Sequence, residues 1–336
     1  MIDSLESIIT VEDLHYYLIQ GMMIEHATFP PYLTALYSLK RGSNLEAFHF
    51  IRTVVVEEML HLTLIANVFN AVGGNIQGVL TNPDFVPTYP THLLTKADDF
   101  EVDVSKFSPE TIATFLKIES YEKIGLFYTE VIRGLKALDK KYKDEGKNLF
   151  IGDPQKQITP EYYYDGAGDI IKVTDIDSAI KALYIIQTQG EGSGTTTIYD
   201  SEKELSHYYR FQQLLKGRYY VIDNEDPTKS DQPDHPTGEE FTVDWDAVYP
   251  MMENLTLSKL RSYADADSEL YGHALEFQQA YSRVLAEIEY SFNGHPEKLL
   301  PAVGSMFRLK ELATSLIRNP IPGLDGVHAG PIYKFE

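Results

Sequence analysis

Residues 51–73 read IRTVVVEEMLHLTLIANVFNAVG. Apolar side chains recur at Ile51, Val55, Leu62, Ile65, Phe69 and Val72, in alternating steps of three and four once position 58 is counted. That rhythm is one face of an α-helix. Position 58 should then be aliphatic, yet it is Glu58, and His61 follows one turn later on the same face. A carboxylate on a buried seam is costly unless something pairs with it. A Glu58–His61 hydrogen bond would meet part of that cost, whereas a metal ion would use both side chains at once. Glu-x-x-His projecting inward is half of a dinuclear carboxylate–histidine centre in a helical bundle.

The preceding segment repeats the anomaly. Thr10 fits the N-cap of a helix running to about Lys40, with Glu12 and Asp13 in its favourable first turn. Its seam reads Leu14, Leu18, Gly21, Glu25, Phe29, Tyr32, Leu36 and Leu39, again with one acid at a core position. Pro30 and Pro31 cannot donate to the carbonyls of His26 and Ala27, which predicts a kink beside Glu25. Arg41-Gly42 ends this helix, and Ser43 with Glu46 fits a capping box for the next. Glu25 lies 17 residues before Gly42 and Glu58 lies 16 after it. In an antiparallel pair of equal rise the two acids meet at one depth.

Gly73-Gly74 stops the second helix, and residues 75–107, with Pro83, Pro87 and Pro90, read as a long crossover of the kind that joins two hairpins of a bundle. Ser108-Pro109 opens a third helix to about Lys143, with Ile112, Phe115, Glu119, Glu122 and Leu126 on one stripe. Residues 144–175 return to loop. A helical pattern over Asp177–Gln189 then meets Gly190-Glu191-Gly192-Ser193-Gly194, which should break it. No strand precedes these glycines and no Gly-Lys-Ser/Thr follows, so they are not a phosphate loop. Helix restarts at Ser201 with a second Glu-x-x-His, Glu204 and His207. Ser201 and Glu204 also fit a capping box, so Glu204 is either ligand or cap. The remaining carboxylate is open. Only 13 residues separate Glu191 from Glu204, so these two can converge only by flanking a helix break. Bundle geometry instead prefers an acid from the third helix, Glu119 or Glu122.

Residues 222–244 are acidic and proline-rich, so Asp231, Asp234 and His235 are read as an exposed loop rather than a site. Two further helices are expected over Ser258–Phe292 and Glu297–Arg318, the first carrying Tyr263, Tyr271, Phe277 and Tyr281, followed by a surface tail from Asn319. The fold class is therefore all-α: a four-helix bundle over 1–220, with the acidic loop and C-terminal helices of 221–336 packing on the same domain.

Composition narrows the chemistry. The 336 residues contain no cysteine, which excludes disulfides and thiolate metal sites and leaves Glu, Asp and His as metal ligands. Fifty acids against 29 bases give a formal charge of −21, which disfavours nucleic acid and anionic membrane as partners. No charged-then-apolar leader opens the chain and no apolar run reaches the ~20 residues of a bilayer span, so the expected location is the cytoplasm. The expected partners are a small-molecule substrate and a second copy of the chain.

Taken together, EHATFPPYLTALYSL (25–39), VVEEMLHLTLIANVFNAVGG (55–74), QGEGS (189–193) and ELSHYYRF (204–211) resemble the ferritin-like domain of the violacein-pathway iminophenylpyruvate dimer synthase and its bacterial relatives. The likeness spans about residues 10–220, and the closing GPIYKF (330–335) is similar too. It implies two iron ions, or iron and manganese, with O₂ as cosubstrate, and oxidation of a small, amino-acid-derived or aromatic substrate in natural-product metabolism. The implied ligands are Glu25, Glu58, His61, Glu191, Glu204 and His207. The chain departs from the pattern at Leu126, in IGLFY (124–128), where relatives often carry an acid. Rival functions are a manganese catalase, a ferroxidase, or a bundle that binds metal without turnover.

Overall fold

The computed structural model describes residues 7–95, 98, 100–164, 168–190 and 197–336. Among them regular structure is helical: α1 (Val11–Ser38), α2 (Leu45–Ala71), α3 (Pro109–Glu119), α4 (Glu122–Asp144), α5 (Ile176–Gln189), α6 (His207–Lys216), α7 (Leu257–Leu260), α8 (Glu269–Phe292) and α9 (Leu299–Ile317). Four walls enclose the bundle. α1 and α2 form the first two as a hairpin, α3 with α4 the third, and α5 with α6 the fourth. The two interrupted walls pair half by half, α3 on α6 and α4 on α5. α8 and α9 pack on each other behind the hairpin, α9 against α1 and α8 against α2. One continuous hydrophobic core runs from the bundle into these helices, with a smaller cluster at Ile198, Tyr209 and Tyr220.

α1 begins with the expected N-cap, Thr10 accepting from the Asp13 amide, and Asp13 completes a capping box by accepting from that of Thr10. It continues unbroken through Pro30 and Pro31, and the Tyr89 hydroxyl from the crossover donates to the Ala27 carbonyl at 2.7 Å, replacing the donor that Pro31 lacks. Ser43 and Glu46 do not cap α2. Its N-cap is Asn44, in the left-handed region (φ 49°), whose amide exchanges hydrogen bonds with the Asp244 backbone. α2 ends as expected at Gly73, with φ +80°. By length and composition α2 could cross a membrane, but 89% of its most apolar stretch is buried in the protein interior. Buried amides tie the 145–175 connection to it. Asn67 donates to the carbonyls of Ile158 and Ile171 and accepts from the Ile158 amide, and Asn70 donates to those of Lys156 and Phe292.

Three expectations are corrected. The third wall is two helices, because Tyr121 leaves helical geometry (ψ 99°) and its hydroxyl bonds the crossover carboxylate of Asp98 at 2.7 Å. The buried face consequently shifts to Ile124, Phe127, Tyr128 and Val131, leaving Glu122 and Leu126 exposed. The long C-terminal helix is likewise divided into α7 and α8, with Tyr263 between them. The tail is not a surface strap. Ile321, Ala329, Ile332 and Tyr333 are buried, and the Tyr333 ring packs on Phe277 and Tyr281.

Candidate metal centre

Glu25 and Glu58 do meet at one depth in the hairpin. Glu25, Glu58 and His61 form one group of potential ligand atoms within 4.8 Å of one another, and Glu58, Glu119 and His207 form a second. Glu58 belongs to both, so all four walls converge on one carboxylate. His61 Nδ1 lies 3.1 Å from Glu25 and 3.8 Å from Glu58, and His207 Nδ1 lies 3.1 Å from Glu58 and 3.3 Å from Glu119. The two imidazoles stack at 5.4 Å with 23° between their planes. All five side chains are buried.

Each half is backed by an outer layer. The Tyr128 hydroxyl donates to Glu25 and the Tyr32 hydroxyl to Glu119. His61 Nε2 faces the Gln189 carboxamide oxygen at 2.9 Å, and the Gln189 amide donates to Glu202 at 3.2 Å. His207 Nε2 sits 2.9 Å from Glu57, which is paired with Arg210 at 3.2 Å. Both histidines thus turn Nδ1 inward and Nε2 toward an acceptor, as a ligand held by outer partners would.

Of the six residues the resemblance implies, Glu25, Glu58, His61 and His207 come together. Glu191 lies outside the described residues. Glu204 stands outside both groups and caps no helix. Asp200 accepts from the backbone N–H of Glu202 and Glu204 at 2.8 and 2.9 Å, folding this segment into a turn. Helix therefore begins at His207 rather than Ser201, and the Glu204 side chain is exposed, paired with Arg210 at 3.0 Å. Between the two third-wall acids the structure places Glu119 at the centre. Glu57, Gln189, Tyr32 and Tyr128 were not singled out from sequence. Glu57 alone carried a signal, as the buried neighbour in a Glu-Glu doublet. The Asp231 group is a loop brace, its carboxylate accepting from the amides of Val221 and Thr237.

The donor set fits a metal pair. Among the described residues, neither oxygen of Glu58, nor Glu119 Oε2, nor either ring nitrogen of His207 has a well-directed hydrogen bond. Buried polar atoms are seldom left so. Close against them is Gly190, where a Cβ would stand 2.8 Å from His207 Nδ1 and 3.1 Å from Glu119 Oε2.

Without metal, protons compensate the charge. Burial raises Glu25 to about 7 despite the neighbouring His61, and burial also raises Glu119. Burial opposes ionisation of Glu58, but the close polar contact and charge of the His207 and His61 imidazoles, at 3.1 and 3.8 Å, outweigh it and hold Glu58 at about 2. Burial likewise opposes protonation of His61, but Glu25 and Glu58 outweigh it and raise His61 to about 10. Glu119, Glu57 and Glu58 act in the same direction on His207. Metal must therefore displace protons from His61, His207 and Glu25. Proton competition weakens as pH rises, so apparent metal affinity should increase between about pH 6 and pH 8, with protons released on loading. Calorimetry in buffers of different ionisation enthalpy would count those protons. Metal uptake that releases none and ignores pH would contradict this protonation scheme.

Two buried groups of acids and a histidine, sharing Glu58 and enclosed by four helical walls, define a class of protein, the helical bundle with side chains that could hold metal at its centre. Residues 18–216, more than half of the chain, match the ferritin-like family, and the chain belongs to it. A crystal structure of a ferritin-like protein from Caulobacter vibrioides is similar, with a TM-score of 0.60 and 18% identity over 98% of this chain and 100% of that one, a likeness of fold. No curated protein matches the sequence.

Proposed function

We propose that this chain is a non-haem dinuclear-metal oxidoreductase, using iron or manganese with O₂ or peroxide to oxidise a small organic substrate. The sharing of Glu58 between two ligand groups carries this reading. Glu25 and His61 would hold one ion, Glu119 and His207 the other, with Glu58 bridging. Carboxylates and imidazoles suit iron and manganese, and three acids offset much of the charge of two divalent ions. When bound, such a pair supplies electron exchange with O₂ or peroxide.

The chain's own groups set the conditions for that chemistry. Tyr128 and Tyr32 orient the terminal carboxylates and hold a proton against each. Gln189 and Glu57 fix the imidazole planes, and burial excludes bulk water. The motifs that resemble the ferritin-like domain of iminophenylpyruvate dimer synthase support an amino-acid-derived or aromatic substrate, as expected in natural-product metabolism.

Anaerobic reconstitution with Fe(II) followed by elemental analysis should give about two ions per chain. Glu119→Gln should lower that number, while Glu204→Gln should leave it unchanged. A parent protein that takes up no metal would sink the proposal, and loss in Glu204→Gln alone would move the fourth wall of the site. Oxygen uptake in air should then depend on added small aromatic substrate. Rapid substrate-free turnover of peroxide or Fe(II) would point instead to a catalase or ferroxidase.

A further inference from the structure

Behind the α1–α2 hairpin, where α8 and α9 cover it, lies a cavity of about 330 Å³ that shares no residue with the five at the metal centre. A small-molecule site commonly has this size and an apolar lining with few polar groups. Its walls include Phe29, Met59, Leu62, Val284 and Leu285. Met59 and Phe48 both line it from α2 and are 11 residues apart, so it extends roughly 16 Å along the hairpin at the helical rise. An elongated occupant fits better than a compact one.

The two ends differ. At the inner end His26 is buried, and its Nε2 is 2.7 Å from the Tyr281 hydroxyl. Its Nδ1 is also buried and has no hydrogen-bond partner among the described residues. An imidazole nitrogen can donate a hydrogen bond or accept one, according to its tautomer. A neutral polar atom left unpaired in an apolar wall costs stability unless a ligand group meets it.

At the outer end stand Arg52 and Lys310, both exposed. Neither has an ion-pair partner among the described residues, although the chain carries 50 acids, and the Lys310 ammonium lies over the Phe48 ring at 5.0 Å. Phe307, 67% exposed, flanks them on α9. Two unpaired cations beside exposed apolar surface, in a strongly acidic protein, select an anionic head on an apolar body.

We propose that this cavity is a second ligand site. It takes an elongated amphiphile with a carboxylate at Arg52 and Lys310, an apolar body along the hairpin, and a hydroxyl or carbonyl at His26. Occupancy needs no metal and does not depend on the redox reading above.

Isothermal titration of the full-length protein with 10-hydroxydecanoate, decanoate and 1,10-decanediol tests each part. The hydroxy acid should bind once per chain. Decanoate, lacking the inner polar group, should bind about tenfold more weakly, and the diol, lacking the charge, weaker by a similar factor. Arg52→Gln/Lys310→Gln changes only exposed positions. It should weaken both acids about tenfold while leaving the diol unaffected. His26→Phe should abolish the preference for the hydroxy acid over decanoate, and Phe307→Glu should repel both acids. No binding of the hydroxy acid to the parent protein would overturn the site. Acid binding unchanged in the double variant, or a diol that matches the hydroxy acid, would overturn the anionic end. A hydroxyl preference surviving in His26→Phe would overturn the inner one.

Discussion

Replacing Glu58 by glutamine should empty both metal positions at once. Every other candidate ligand belongs to one group of three, and Glu58 alone belongs to both. Outer partners of ligand histidines typically change metal affinity by about 10–100-fold when removed, so loss of a bridging carboxylate should exceed that at each position. The metal-free protein should suffer as well. Glu58 is held at about 2 by the adjacent imidazoles, below its unfolded value, so its charge contributes stability above the ordinary carboxylate range, lost only as pH falls toward 2. Glutamine removes that contribution at neutral pH and leaves His61 and His207 less compensated, a loss of up to about 3–5 kcal/mol that deprotonation of the imidazoles would reduce. Metal content and denaturant unfolding, each compared with parent, read the two effects separately. A Glu58→Gln protein that keeps one ion at parental affinity would show that the groups do not share this residue.

The second large effect belongs to a residue with no side chain. Gly190→Ala should remove the ion nearest His207 while sparing the one nearest Glu25, leaving about one per chain. Gly190 has φ −126° and ψ −61°, outside the left-handed region, so a positive φ is not what calls for glycine here. The obstacle is the methyl group, 2.8 Å from His207 Nδ1. His207 is fixed on its far side by Glu57 and above by the His61 ring, so it cannot retreat without unpacking the centre. Thermal stability should fall too, because relieving a 2.8 Å contact in a packed interior costs about 1–3 kcal/mol. Full occupancy by two ions at parental affinity would show that the imidazole yields.

The hairpin half of the site was legible in the sequence because Glu25, Glu58 and His61 interrupt uninterrupted helical seams. A regular period makes an acid at a core position conspicuous, and Gly42 marks where the two seams fold together. The other half was not, for a definite geometric reason. Glu119 and Tyr128 are nine residues apart, which in one continuous helix puts them on opposite faces. Both reach the centre only because the wall breaks at Ser120 and Tyr121. The break depends on Tyr121 reaching Asp98, 23 residues earlier in the chain, and no local pattern announces it. Glu204 shows the converse. Glu-x-x-His spacing has meaning only on a helix, and Asp200 holds that segment out of one.

The position of each ligand along its helix has one more consequence. Glu25, Glu58 and His61 stand in the middle of 28- and 27-residue helices, whereas Glu119 is the last residue of α3 and His207 the first of α6, with Gln189 ending α5. Mid-helix side chains move only if a whole packed rod moves. Terminal ones, though buried here, are carried by a single turn and the connection beside it, so they shift with a smaller unit than a whole helix. The centre is therefore a stiff jaw facing a compliant one. Its two groups should fill with metal in order, the hairpin group first, and any repositioning that accompanies metal binding should be confined to the compliant side.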